Sequence, residues 1–145
     1  MSAKQTKKLN KKVLNLLILS SFLILLLDQL LKQIFIKQGK YLLNKNFVYG
    51  LSIGFLNPTI TVTVVFLFIL STTIFGILKK NEFVFFIFPT IVSISNVLDR
   101  LIYDGVIDYI YIPIFPFNIL FSHFNLADAS ISIFILIFII FQYKK

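Results

Sequence analysis

Four apolar runs, each close to the roughly 20 residues a helix needs to cross the hydrocarbon of a bilayer, dominate this chain and exclude most other architectures. They extend from Val13 to Lys32, Thr59 to Leu78, Phe83 to Ile102 and Phe124 to Tyr143. Lipid offers no partner to backbone N–H and C=O groups, so runs of this kind predict helices whose hydrogen bonds close within the segment. With 145 residues, 58% of them hydrophobic and only 14% charged, the chain has room for one domain. The expected fold class is an all-α integral membrane protein with four transmembrane helices and an interfacial loop at the apolar, proline-broken stretch "IYIPIFPF". Residues 1–12 form a cytosolic basic tail and residues 13–145 a single four-helix membrane domain. Cysteine is absent, which removes disulfides and thiolate metal sites from consideration.

Lysine placement orients the spans. Lys4, Lys7, Lys8, Lys11 and Lys12 precede the first, Lys79 and Lys80 join the second to the third, and Lys144 and Lys145 end the chain. By the positive-inside rule these segments face the cytosol, so both termini are expected inside. The first run resembles the core of a secretory signal but no small-residue cleavage site follows, and it is read as an uncleaved span. The formal charge of +8 does not point to nucleic acid, because the lysines flank apolar runs and form no aromatic-interleaved basic face. Membrane lipids are their expected partner. Asn57 and Pro58 suit the N-cap and first turn of the second span, and Pro89 is expected to kink the third.

This orientation places Asp28, Asp99, Asp104, Asp108 and Asp128 toward the outer side, with only Glu82 inside. Several of them recur at helical spacing. Asp28 and Lys32 are four apart, Asn96, Asp99 and Arg100 occupy i, i+3 and i+4, and Asn125 and Asp128 are again three apart. Each set gives one polar face near the outer interface. An ionisable group at mid-bilayer costs about 2.5–3.5 kcal/mol, so several at one level imply a shared polar cavity.

Structural roles account for many of these groups. Asp28 with Lys32 reads first as an ion pair, Arg100 as a neutralising or snorkelling cation, and Asn96 and Asn125 as inter-helix hydrogen-bond partners. His123 reads as an interfacial side chain, and one His with scattered Asp predicts no metal site. Asp104 lies in a turn, "YDGV". Asp108 and Asp128 lack such an account. Asp108 falls in "GVIDYIYI", whose alternation suggests an extended segment that brings its carboxylate toward Asp128. Two adjacent carboxylates share a proton, so one can activate water while the other polarises a peptide carbonyl. Spacing leaves open whether Asp99 or Asp108 faces Asp128. A small polytopic ion transporter or channel is the alternative reading, although it calls for charges spread through the membrane depth.

The stretches "DQLLK" (Asp28 to Lys32), "NVLDR" (Asn96 to Arg100), "GVIDYI" (Gly105 to Ile110) and "FNLAD" (Phe124 to Asp128) together resemble the lipoprotein signal peptidases, or signal peptidase II. The resemblance extends from about Val13 to the end of the chain. It implies a bacterial inner-membrane aspartic endopeptidase that cleaves diacylglyceryl-modified prolipoproteins immediately before the lipidated Cys, without a cofactor. It assigns catalysis to Asp108 and Asp128, and site support or substrate binding to Asp28, Lys32, Gly50, Asn96, Asp99, Arg100 and Asn125. It further implies inhibition by globomycin-type cyclic peptides, a monomer, and a β-platform over residues 33–57, and we expect the Pro113 to Phe117 loop to shield the cleft. Two departures from the family pattern stand out: Ser95 replaces a usual Gly, and in "VYGLSIG" Val48 and Ile53 fall where Asn and Phe are usual, while Gly50 and Ser52 remain. Asn44 or Asn46 is a candidate replacement for that outer-loop Asn.

Overall fold

The computed structural model describes residues 11–45, 66–67, 69–76, 85–112 and 123–143. Gly50 and its "VYGLSIG" block, Asn46, Asn57, Pro58, the Pro113 to Phe117 loop, and the lysines at 4, 7, 8, 79, 80, 144 and 145 lie outside the described residues.

The described chain is mostly helical. Helix α1 spans Lys11–Gln38 and is long and apolar enough to cross a membrane. It runs six residues past the expected end at Lys32, because nothing between Gln33 and Gln38 breaks a helix. Gly39 stops it in the left-handed region at φ 64°. The Gly39 N–H donates to Ile36 O and the Lys40 N–H to Phe35 O, both at 3.0 Å, which is the Schellman arrangement for satisfying terminal carbonyls. The outer segment expected to start the β-platform is therefore helical as far as Gln38.

Residues 69–76, within the second of the four apolar runs, form a helical stretch, α2. Its Thr73 hydroxyl meets that of Thr90, in the third run, at 2.9 Å, both buried. Helix α3 covers Ile87–Tyr103 and α4 covers Leu126–Tyr143. Pro89, expected to kink the third run, falls in the first turn of α3, where its missing N–H removes no ladder bond, and α3 continues through it without a break. Asp104 caps α3 with φ 56°, in the turn expected at "YDGV".

The "GVIDYIYI" segment is extended, as its alternation predicts, and forms β2 (Val106–Asp108) and β3 (Ile110–Tyr111). Strand β1 (Leu42–Asn44) pairs antiparallel with β2, and β4 (His123–Phe124) pairs antiparallel with β3. Gly105 lets β1 close on β2: a Cβ there would stand 2.8 Å from Leu43 Cδ1 and 3.2 Å from Asn44 O.

Helix α1 packs on α3 and α4, and α3 on α4. Phe88, Val92 and Ala127 form a small apolar core with Leu17, Ile24, Ile131 and Phe134 against it. Phe88 stacks on Phe134 at 4.7 Å. Above this core the buried side chains become polar.

Candidate active site

Lys32 is the hub of the polar cluster. One helical turn after Asp28, its ammonium sits 2.8 Å from Asp28 Oδ2 and 2.8 Å from Asp99 Oδ2 on α3, with all three side chains buried. It also donates to Ser95 Oγ at 3.0 Å and Asn96 Oδ1 at 2.9 Å. The expected Asp28–Lys32 pair is thus half of a triad between two helices. Burying these charges is tolerable because each is both paired and hydrogen-bonded. Ser95, a departure from the family pattern, takes a central place: its hydroxyl donates to Asp28 and accepts from Gln29 Nε2 at 2.8 Å.

Asp28 also organises α4 from outside that helix. Its Oδ1 accepts the backbone N–H groups of Leu126 at 3.0 Å and Ala127 at 3.3 Å. These donors have no partner within the helix, and a carboxylate beside them is favoured by the helix dipole. Tyr109 closes the arrangement, donating its hydroxyl to Asp28 Oδ1 at 2.8 Å and accepting from Leu126 N at 3.1 Å. Its ring stacks on Phe35 at 4.9 Å. Burial, and then the Asp28 carboxylate, push the Tyr109 phenol well above its ordinary range, so it remains a proton donor.

"NLAD" places Asp128 through a local capping device. Asn125 precedes the helix, its Oδ1 accepts from Asp128 N at 2.9 Å, and Asp128 Oδ2 receives a long return bond from Asn125 N at 3.4 Å. The expected site residue therefore also helps to start α4. Asn96 Nδ2 donates to Asp128 Oδ1 at 2.8 Å. The amide orientation of Asn96 follows from Lys32, whose ammonium requires an oxygen facing it.

Asp108 enters from β2 and is buried. Asn125 Nδ2 donates to its Oδ1 at 3.0 Å and also reaches Asn96 Oδ1 at 3.1 Å. Asn44 Nδ2 donates to Asp108 Oδ2 at 3.0 Å. Burial pushes the Asp108 carboxyl above the usual carboxylate range, while the hydrogen bonds from Asn44 and Asn125 pull it back. Asp108 and Asp128 act electrostatically on one another, and the buried Arg100 guanidinium attracts both.

Asp99 occupies a different place. Its oxygens meet Lys32, Gln29 Nε2 at 3.1 Å and the Ile107 N–H at 3.0 Å, so it joins the ion triad to β2. Asp108, by contrast, shares the Asn125 side chain with the Asp128 turn. His123 packs against Tyr111 across the β3–β4 pair with ring centroids 4.8 Å apart and the planes tilted.

The structure thus brings together Asp28, Lys32, Asn96, Asp99, Arg100, Asp108, Asn125 and Asp128. Sequence reasoning did not single out Gln29 or Tyr109, and it read Ser95 only as a mild departure. Each was available as a polar group beside a marked residue, but its partner lies on another element.

Buried polar groups gather at one end of apolar helices, where one asparagine links two carboxylates, in a mostly helical membrane protein. The profile of the family described as signal peptidase (SPase) II matches residues 20–144. A lipoprotein signal peptidase from Thermodesulfovibrio yellowstonii is 35% identical over 146 residues, covering 88% of this chain and 94% of the relative. A bacterial membrane enzyme solved by the in meso method at 2.3 Å resolution shares the fold with a TM-score of 0.71 at 22% identity, covering 97% of this chain and 93% of that one. The chain belongs to the signal peptidase II family, the aspartic-type signal peptidases that remove signal peptides from prolipoproteins. Membership in a peptidase family sets aside the ion-channel alternative.

Proposed function

We propose that Asp108 and Asp128 are the catalytic pair of a four-span peptidase that cuts diacylglyceryl-modified prolipoproteins immediately N-terminal to the lipidated Cys. The observation that carries this reading is Asn125, whose side-chain amide donates to Asp108 while its carbonyl holds the turn bearing Asp128. Asp108 is buried, whereas Asp128 and Asn96 are half-buried, so the pair is more accessible from the Asp128 side. A scissile bond can approach from there. Both termini face the cytosol, the carboxylate pair lies at the extracytoplasmic face, and the acyl chains of the substrate stay in lipid. Domain limits follow the same division: residues 1–12 as basic tail and 13–145 as peptidase domain.

Hydrolysis needs one carboxylate ionised and one protonated. The ionised one takes a proton from water as the water oxygen attacks the scissile carbonyl carbon. The protonated one gives its proton to the carbonyl oxygen, leaving a neutral tetrahedral diol. Collapse of the diol breaks the C–N bond: the carboxyl that took the water proton gives it to the leaving nitrogen, the other carboxylate takes a diol hydroxyl proton, and the pair regains its starting arrangement. Asn96, Asn125, Asp28, Lys32, Asp99 and Arg100 hold the two carboxylates in place, and Gly50 contributes from the outer segment. The enzyme works as a monomer without metal or cofactor, among membrane lipids, with no nucleic acid partner, and is inhibited by globomycin-type peptides. A small β-platform completes the outer face.

The test is processing of a lipidated precursor in membranes. Asp108→Asn and Asp128→Asn are expected to insert at normal levels and leave the precursor uncut. Substantial processing by either variant removes that residue from the pair.

A further inference from the structure

Asn44 comes to the polar cluster from outside the helices. It lies on β1, and its partner across the ladder is Val106. Strand residues two apart share a face, so Asn44 is diagonal to Asp108 and within reach of its carboxylate. The 3.0 Å bond from its Nδ2 to Oδ2 complements the 3.0 Å bond from Asn125 Nδ2 to Oδ1, so both oxygens of Asp108 receive an amide donor. Asp128 is served differently, with one short donor from Asn96 at 2.8 Å and one long backbone donor at 3.4 Å. Donors directed at a carboxylate favour its charged form.

We propose that Asn44 is a positioning residue that holds Asp108 as the ionised member of the pair, so that Asp108 accepts the proton from water and Asp128 supplies the one given to the substrate carbonyl. This rests on the assignment of Asp108 and Asp128 as the catalytic pair. It gives β1 a role in the chemistry, since Asn44 stays in reach only while β1 is seated on β2, the contact that Gly105 permits. The other charged groups that act on Asp108 are Lys32 from α1, Asp99 and Arg100 from α3, and Asp128 from α4. Asn125 donates from the start of α4. A substitution at position 44 leaves all of them unchanged.

Asn44→Leu removes the donor while keeping the branched shape and the number of side-chain heavy atoms. Loss of a donor to the charged form makes Asp108 harder to ionise, so the acid limb of the pH profile moves upward. Because the carboxylates titrate together, that limb belongs to the pair. With purified protein and a lipidated precursor, kcat/KM is expected to show its acid limb about one pH unit higher than in the parent. Cleavage then falls about tenfold on the acid side and returns to within about twofold on the alkaline side, with KM little changed. Asn44→Ser keeps a hydroxyl donor and is expected to shift the limb less.

An unmoved limb in Asn44→Leu, or an equal loss at every pH, overturns the proposal. If that variant is not recovered folded, Asn44→Ser decides by the same criterion: an upward shift supports the proposal and an unmoved limb overturns it. Asp108→Asn in the same assay separates the two levels. An inactive Asp108→Asn beside an unshifted Asn44 variant overturns the role of Asn44 alone. An active Asp108→Asn overturns the pair and this role with it.

Discussion

The two ends of α4 are built for different surroundings. At its start, Asn125 and Ala127 are buried, and its first amides are held by Asp28 of α1. Further along, Ile133, Leu136, Ile139 and Phe141 point outward with about half or more of their surface exposed. The same inversion runs through α1, where Lys32 and Asp28 are fully buried while Leu19, Leu23 and Leu26 are exposed. In water that arrangement would cost desolvation inside and leave a large apolar surface outside. In lipid the exposed leucines and isoleucines are already in their preferred solvent, and polar contacts become the specific glue between helices. The polar end of the helices is therefore held by directed bonds and the apolar remainder by packing that tolerates change.

Breaking the hub should show this contrast at its largest. Lys32→Met leaves the buried carboxylates of Asp28 and Asp99 uncompensated, and removal of one partner from such a set costs about 3–5 kcal/mol. The expected result is a severe loss of folded protein after extraction, measured as monodisperse yield, with a smaller loss of activity per folded molecule. Tyr109→Phe is milder. It removes one hydroxyl from Asp28 but leaves the Leu126 and Ala127 donors and the Phe35 stack in place, so about 1 kcal/mol and a modest fall in thermal midpoint are expected. At the other extreme, Leu136→Ala lies on the exposed apolar face and should change the thermal midpoint by no more than about 0.5 kcal/mol equivalent. A Leu136→Ala effect as large as that of Lys32→Met would remove the distinction between the two regions.

The same contrast explains what could be read in advance. Asp28, Lys32, Asn96, Asp99, Arg100, Asn125 and Asp128 were legible because helical spacing puts each set on one face, and the apolar runs fixed their common level. The extended course of "GVIDYIYI" was legible from its alternation. The partners across elements were not. Lys32 to Asp99, Ser95 to Gln29, Tyr109 to Asp28 and Asn44 to Asp108 each join residues 64 or more positions apart on different elements, and sequence spacing carries no signal for them. The polar end of the apolar run at Lys32 resembles a helix end, but the stop signal is Gly39. The effect of Pro89 depends on where its helix starts, and α3 starts two residues before it.

The most direct measurement is cleavage of a diacylglyceryl-modified precursor by the purified protein, with the product identified by mass. The parent should release a signal peptide ending immediately before the lipidated Cys, and Asp108→Asn and Asp128→Asn, purified in equal folded amounts, should each lose at least about a thousandfold in rate. Cleavage at that bond by either variant at near-parental rate would contradict the pairing of these two carboxylates.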